Sequence, residues 1–250
     1  MIAPVTVIGA FGMLVGSFLN VVAWRLPRGE SLVRPGSRCP GCETPIRPYD
    51  NVPVLSWLLL RGRCRACGVR ISPRYPAVEA ATAVLYAAVA LGRHGVLDIA
   101  LGLLLVTALV PITLIDLDLR LIPNAITLPA AVAAVLAALA LDPGFLPEQL
   151  IAGAAAGGFF LLAALVHPRG MGMGDVKLAG MLGLYLGRAV APALLVALVS
   201  GVLVGAVIIA RKGAAEGRRT AVPFGPFLAL GGIVALFAGD ALVDAYLSTF

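Results

Sequence analysis

Two short stretches carry carboxylates where a carboxylate is costly. Gly170-Met171-Gly172-Met173-Gly174-Asp175-Val176-Lys177 holds one aspartate between two apolar runs, and Ile115-Asp116-Leu117-Asp118-Leu119-Arg120-Leu121-Ile122-Pro123-Asn124 holds two more between another pair. An ionisable group at the edge of a membrane is expensive and marks function. Close like charges resist double ionisation, so two such carboxylates brought together hold one proton between them. The anionic member can then take a proton from water while the other donates to a peptide carbonyl oxygen, which is general acid–base peptide hydrolysis with no covalent intermediate.

Asp116 and Asp118 are two residues apart, so on a helix their side chains diverge by about 200° and only one can face a given partner. Asp116, deeper against Ile115, is the more costly placement and is the expected site residue; Asp118 beside Arg120 reads as an interfacial charge. Pro123-Asn124 reads as a helix restart with Asn124 as N-cap. That makes residues 117–122 a broken segment at membrane depth, tolerated where it lines a wet cavity. Gly172 and Gly174 permit close approach of another segment. Lys177 either steadies an anionic Asp175 or anchors its helix at the interface. His94, His167, Ser17, Ser56, Ser72 and Ser200 stand in no nucleophile context.

A second kind of chemistry sits between residues 38 and 71. Arg38-Cys39-Pro40-Gly41-Cys42-Glu43-Thr44-Pro45-Ile46 repeats as Arg63-Cys64-Arg65-Ala66-Cys67-Gly68-Val69-Arg70-Ile71. Two Cys-x-x-Cys knuckles can supply Cys39, Cys42, Cys64 and Cys67 to one tetrahedral Zn²⁺. Four thiolates leave no open position for water, so the expected zinc is structural. In a cytosolic loop stable disulfides are disfavoured, and four reduced thiols are the alternative.

The elements that must position these groups are apolar helices. The 250 residues are 60% hydrophobic and 13% charged, with mean hydropathy +0.98; a water-soluble domain carries about 25% charge. The composition predicts an all-α polytopic protein of the lipid bilayer with about eight spans, near 2–24, 77–92, 96–115, 124–141, 148–166, 176–187, 189–210 and 223–247, the sixth being short. The first run lacks a signal peptide's basic n-region and is expected to be retained. With the N-terminus outside, only Arg93 and Arg188 among 19 Lys and Arg fall outside, as the positive-inside rule requires. The cysteine loop, Asp116 and Asp175 are then all cytosolic. The net charge of +6 lies in these loops, and no nucleic-acid module is legible. The expected division is a first helix at 1–24, a Cys-rich loop domain at 25–76 and a helical catalytic domain at 77–250. A transporter would place its acids at the midplane and carry a symmetric broken-helix repeat, and neither pattern is present.

Read together, these residues resemble the bacterial type IV prepilin peptidases, bifunctional leader peptidase and N-methyltransferase enzymes of the aspartic GxGD class. The similarity runs through Gly16-Ser17-Phe18-Leu19-Asn20-Val21 with Arg25-Leu26-Pro27, both knuckles, Ser72-Pro73-Arg74-Tyr75-Pro76 leading to Glu79, Asp116 with Ile122-Pro123, Gly172-Met173-Gly174-Asp175-Val176-Lys177, and Pro223-Phe224-Gly225-Pro226-Phe227. One departure is Asn124, where many relatives have aspartate. The resemblance implies Asp116 and Asp175 as the catalytic pair, supported by Gly172, Gly174, Lys177 and Pro123. It also implies prepilin and type II secretion pseudopilin substrates cleaved after the glycine that ends a short basic leader, at the inner membrane. Methylation of the new N-terminus, commonly Phe or Met, would use S-adenosylmethionine, associated with the cysteine loop. A non-catalytic pilin assembly factor is the rival within this resemblance.

Overall fold

Apolar runs rich in alanine, leucine and valine, punctuated by Gly, Pro and charged loops, fold as helices. The computed structural model describes residues 2–167, 171–213 and 222–249; Gly170, named above, and Arg169, Arg218 and Arg219, which belong to the expected cytosolic charge, lie outside the described residues. The helices are α1 (Ile2–Arg25), α2 (Leu55–Leu59), α3 (Arg74–Gly92), α4 (Val96–Leu119), α5 (Asn124–Leu141), α6 (Leu146–Val166), α7 (Met173–Leu186), α8 (Val190–Lys212) and α9 (Gly225–Leu247). Among the described residues there is no strand, only two isolated bridges, Arg38 with Pro45 and Arg63 with Arg70.

Seven described segments are long and apolar enough to cross a membrane, one of them the 40-residue stretch Met173–Lys212. Gly187 breaks that stretch, with φ 53° and ψ −134°, into the 14 residues of α7 and the 23 of α8. Counting both halves gives the eight apolar helices expected, with the sixth the shortest. Two boundaries matter chemically. α4 runs four residues past the expected end at 115, because Arg120 takes a left-handed conformation (φ 53°) and its N–H closes the helix on the Asp116 carbonyl at 2.9 Å. α7 begins three residues earlier than expected, which puts Asp175 inside its first turn. Asn124 is not the N-cap of α5: Pro123 holds that position with an extended backbone, and Asn124 is the first helical residue.

The chain forms two compact units, Met1–Gly92 and Arg93–Phe250. In the first, α1 lies against α3 through glycines. A Cβ at Gly12 would stand 2.8 Å from Tyr86 Cβ, and one at Gly16 2.9 Å from Glu79 Cα. The helix beginning at Arg74 therefore packs with α1, although the expected division placed it with the later helices.

The second unit holds α4 to α9. Its core is Leu105, Leu109, Ile112, Ile115, Phe160, Leu178, Leu182 and Leu228, none of them reached by solvent beyond 2%. Where lipid is as apolar as a side chain, close van der Waals fit holds helices together, and α6 meets α7 backbone to backbone: a Cβ at Gly183 would lie 2.5 Å from the Ala152 carbonyl oxygen. Arg93 and Arg188, which run against the expected charge distribution, are both paired. Arg93 meets Asp240 at 3.3 Å, and Arg188 reaches Asp240 at 3.7 Å and Asp244 at 3.0 Å, with its backbone N–H donating to Glu148 at 2.7 Å. Gly183→Val should lower the unfolding midpoint in detergent, by about 1–3 kcal/mol of overpacking; a variant that melts with the wild type would show that the α6–α7 contact does not depend on this glycine.

Candidate active site and metal centre

Asp116 occupies the last turn of α4, with Ile112 and Ile115 fully buried behind it. Asp116 is only 4% exposed, whereas Asp118 is exposed. What meets Asp116 is a backbone group: the Gly225 N–H donates to Asp116 Oδ2 at 2.9 Å. Gly225 opens α9, a helix of 23 residues, so the carboxylate faces a helix N-terminus and its partial positive charge. Phe224 sets this approach, its ring 6.0 Å from Phe160 of α6 and lying over Gly201 of α8. A Cβ at Gly225 would sit 2.7 Å from Asp116 Oδ2, so only glycine fits. The Pro223-Phe224-Gly225-Pro226-Phe227 run, named in the sequence for its family resemblance, thus borders Asp116. A backbone donor has no side-chain signature; the signal was a glycine between two prolines at the start of a span.

Asp175 is half-buried in the first turn of α7, and the Gly172 N–H donates to its Oδ2 at 3.2 Å. Each carboxylate therefore accepts one backbone N–H at a helix N-terminus and keeps a second oxygen for other partners.

The loop after Asp116 and the turn around Asp175 interlock. A Cβ at Gly174 would lie 2.9 Å from Ile122 Cβ, so the glycine lets residues 120–123 close on α7. Pro123 hands the chain to α5, and Lys177 Nζ donates to Asn124 Oδ1 at 2.9 Å, tying the first turns of α5 and α7 together. Neither sequence reading of Lys177 anticipated this: its recorded hydrogen bond goes to an amide, not to Asp175. The Ile122–Gly174 approach brings the chain that follows Asp116 against the first turn of α7, which carries Asp175.

In the first unit both knuckles fold alike. Cys39 N–H donates to Thr44 O and Glu43 N–H to Cys39 O, at 3.0 and 2.9 Å; Cys64 N–H donates to Val69 O and Gly68 N–H to Cys64 O, both at 2.9 Å. Glu43 and Gly68, each following the second cysteine of its pair, turn the chain with φ 55° and 72°. All four sulfurs lie within 4.8 Å of one another, and Cys39 Sγ to Cys67 Sγ is 3.7 Å. Zn–S bonds of about 2.3 Å in a tetrahedron put sulfurs about 3.8 Å apart, so the spacing fits one ion and exceeds a disulfide.

Hydrogen bonding with the Thr44 side chain and backbone, with Cys67 and Cys39 adding to it, pulls the Cys42 thiol down to about 6. Cys67, although a Val69 hydrogen bond favours its thiolate, is pushed up to about 12 by desolvation and the three neighbouring thiols. Nearby, Arg65 grips Asp50 through Nε and Nη2, at 2.7 Å for the shorter arm, and holds that carboxyl below its usual value.

Residues 10–92 match the model for the bacterial peptidase A24 N-terminal domain, and residues 103–210 match the model for the type IV leader peptidase family. The protein named prepilin leader peptidase/N-methyltransferase in Aeromonas salmonicida (strain A449) is 37% identical over 96% of this chain and 92% of its own. The chain belongs to this family. The similarly named protein of Neisseria gonorrhoeae is 39% identical over 92% of this chain and 89% of its own, and that of Pseudomonas aeruginosa 35% identical over 94% and 91%. No solved structure gives a significant match. Within this family the chain is a multi-pass membrane protein whose four cysteines form a candidate metal site. Titration with Co²⁺ should give a single tetrahedral thiolate chromophore per chain, lost in Cys39→Ser; absence of the chromophore in wild-type protein would refute the tetrathiolate geometry.

Proposed function

We propose that this chain is a membrane-embedded aspartic endopeptidase that removes the basic leader from prepilins and pseudopilins and then methylates the N-terminus it exposes. The observation that carries the reading is the pair of carboxylates at helix N-termini, Asp116 under Gly225 and Asp175 under Gly172, joined by the Ile122–Gly174 contact. In this reading Asp116 and Asp175 hold one proton between them. The anionic member removes a proton from the attacking water and the other protonates the scissile carbonyl oxygen; collapse of the tetrahedral adduct expels the amine of the mature pilin. Gly225 and Gly172 orient the carboxylates, Gly174 and Pro123 let the loop close, and Lys177 with Asn124 sets the spacing between α5 and α7.

The charge distribution supports a chain in the inner membrane with its N-terminus outside and both the acidic pair and residues 25–76 on the cytosolic side. A substrate helix can then stay in lipid while its basic leader reaches the site from the cytosol. In this arrangement residues 25–76 are a zinc-stapled loop associated with methylation, held by Cys39, Cys42, Cys64 and Cys67. S-adenosylmethionine, the methyl donor by family resemblance, supplies an electrophilic methyl group when bound. The transporter and assembly-factor readings find no support in the family comparisons.

Asp116→Asn and Asp175→Asn should each lower leader cleavage by at least about 10³-fold in a nanodisc assay with a synthetic prepilin while the protein still inserts. Gly225→Ala, which keeps the N–H but crowds Asp116 Oδ2, should lower it by about 10–100-fold. Cleavage at wild-type rate in either aspartate variant would end the proposal.

A further inference from the structure

The first unit contains a carboxylate that neither the peptidase site nor the metal centre uses. Glu79 lies in the second turn of α3 and is 8% exposed. An ionisable residue inside a membrane helix is costly to place and is a candidate functional residue. The loop before α3 is crowded with arginines, yet the partner recorded for Glu79 is a backbone group: Val54 N–H donates to Glu79 Oε2 at 2.7 Å. Arg65 is engaged with Asp50.

The surroundings are built rather than incidental. Val54, a β-branched residue, is held at φ 59° and ψ −53°, a strained conformation of the kind that persists at ligand sites. Ser56 Oγ fixes the same loop, donating to Tyr49 O at 2.9 Å and accepting from Val52 N–H at 3.0 Å. Asn20 of α1 is buried and gives its amide to Tyr75 O at 3.2 Å and Gly16 O at 3.3 Å, fixing the start of α3. Gly16 has no side chain because one would strike Glu79. Immediately after Val54, Leu55, Leu58 and Leu59 are exposed. A buried carboxylate beside exposed leucines suits a ligand with a cationic head and an apolar body.

We infer that Glu79 is the subsite that receives the N-terminal ammonium of the cleaved pilin for methylation, its second carboxylate oxygen facing the amine and the leucines meeting the apolar residues behind it. This rests on the methyltransferase half of the function proposed above. The step balances as follows. The ammonium gives one proton to the Glu79 carboxylate and thence to water. The freed nitrogen lone pair attacks the methyl carbon, and the carbon–sulfur bond of the sulfonium donor breaks with its electrons left on sulfur as a thioether.

Glu79→Gln tests the inference, because the amide oxygen still accepts from Val54 N–H while the charge and the base are lost. In full-length protein in nanodiscs, leader cleavage should stay within about twofold, and methylation of the cleaved product should fall by at least about 100-fold. A synthetic peptide of the mature N-terminus with a free amine should bind about tenfold more weakly. The same peptide N-acetylated should bind both proteins alike, and S-adenosylmethionine binding should be unchanged. Methylation at the wild-type rate would overturn the assignment, as would a loss shared by cleavage, free peptide and acetylated peptide, or a loss confined to S-adenosylmethionine binding. Wild-type protein that cleaves but does not methylate would instead remove the methyltransferase reading on which the inference rests.

Discussion

The structure is governed by the cost of placing a carboxylate at the end of an apolar helix. An ionised group loses hydration there, and the fold answers with backbone N–H groups at helix starts. Asp116 ends α4 and faces the first residue of α9; Asp175 lies within the first turn of α7 and accepts from Gly172. Each arrangement puts a negative group against the positive end of a helix. Neither needs a neutralising lysine or arginine, and such a partner would compete with a substrate for the same oxygens. Much else in the second unit serves these two contacts. Phe224 seats the start of α9 against α6 and α8, Gly174 admits Ile122, and the short α7 is locked to α6 through Gly183.

The first unit meets a different difficulty. The residues between α1 and α3 are too few and too charged to build an apolar core, so the loop is fixed by paired turns, by the Arg65–Asp50 ion pair and by four converging sulfurs. Small domains of this kind commonly need a metal staple. The close α1–α3 contact, made possible by Gly12 and Gly16, gives that loop a firm base and brings Glu79 and Asn20 together at its foot.

The residues of the candidate sites stood out in the sequence because their types are improbable where they occur: an aspartate flanked by leucines, a glycine-rich turn between spans, a repeated cysteine spacing. Helix positions followed from apolar runs, and the eight apolar helices include the short one. What could not be read was carried by the backbone or by tertiary context. Gly225 acts through its N–H and through having no Cβ, neither of which marks a sequence. Residues 117–122 looked like a broken segment because Pro123-Asn124 reads as a helix restart; α4 nevertheless continues to Leu119, where the left-handed Arg120 closes it. Asn124 looked like a cap because asparagine favours that position, but Lys177 claims its side chain from 53 residues away.

The central claim is that Asp116 and Asp175 meet over a single water-accessible site at one edge of the helices. Replacing both with cysteine in the full-length protein, oxidising the membranes and mapping the linked peptides by mass spectrometry tests it most directly. The account predicts a 116–175 cross-link that forms under mild oxidation or with the shortest bifunctional thiol reagent. Failure to link these positions, in protein where both introduced thiols react with a soluble maleimide, would contradict it.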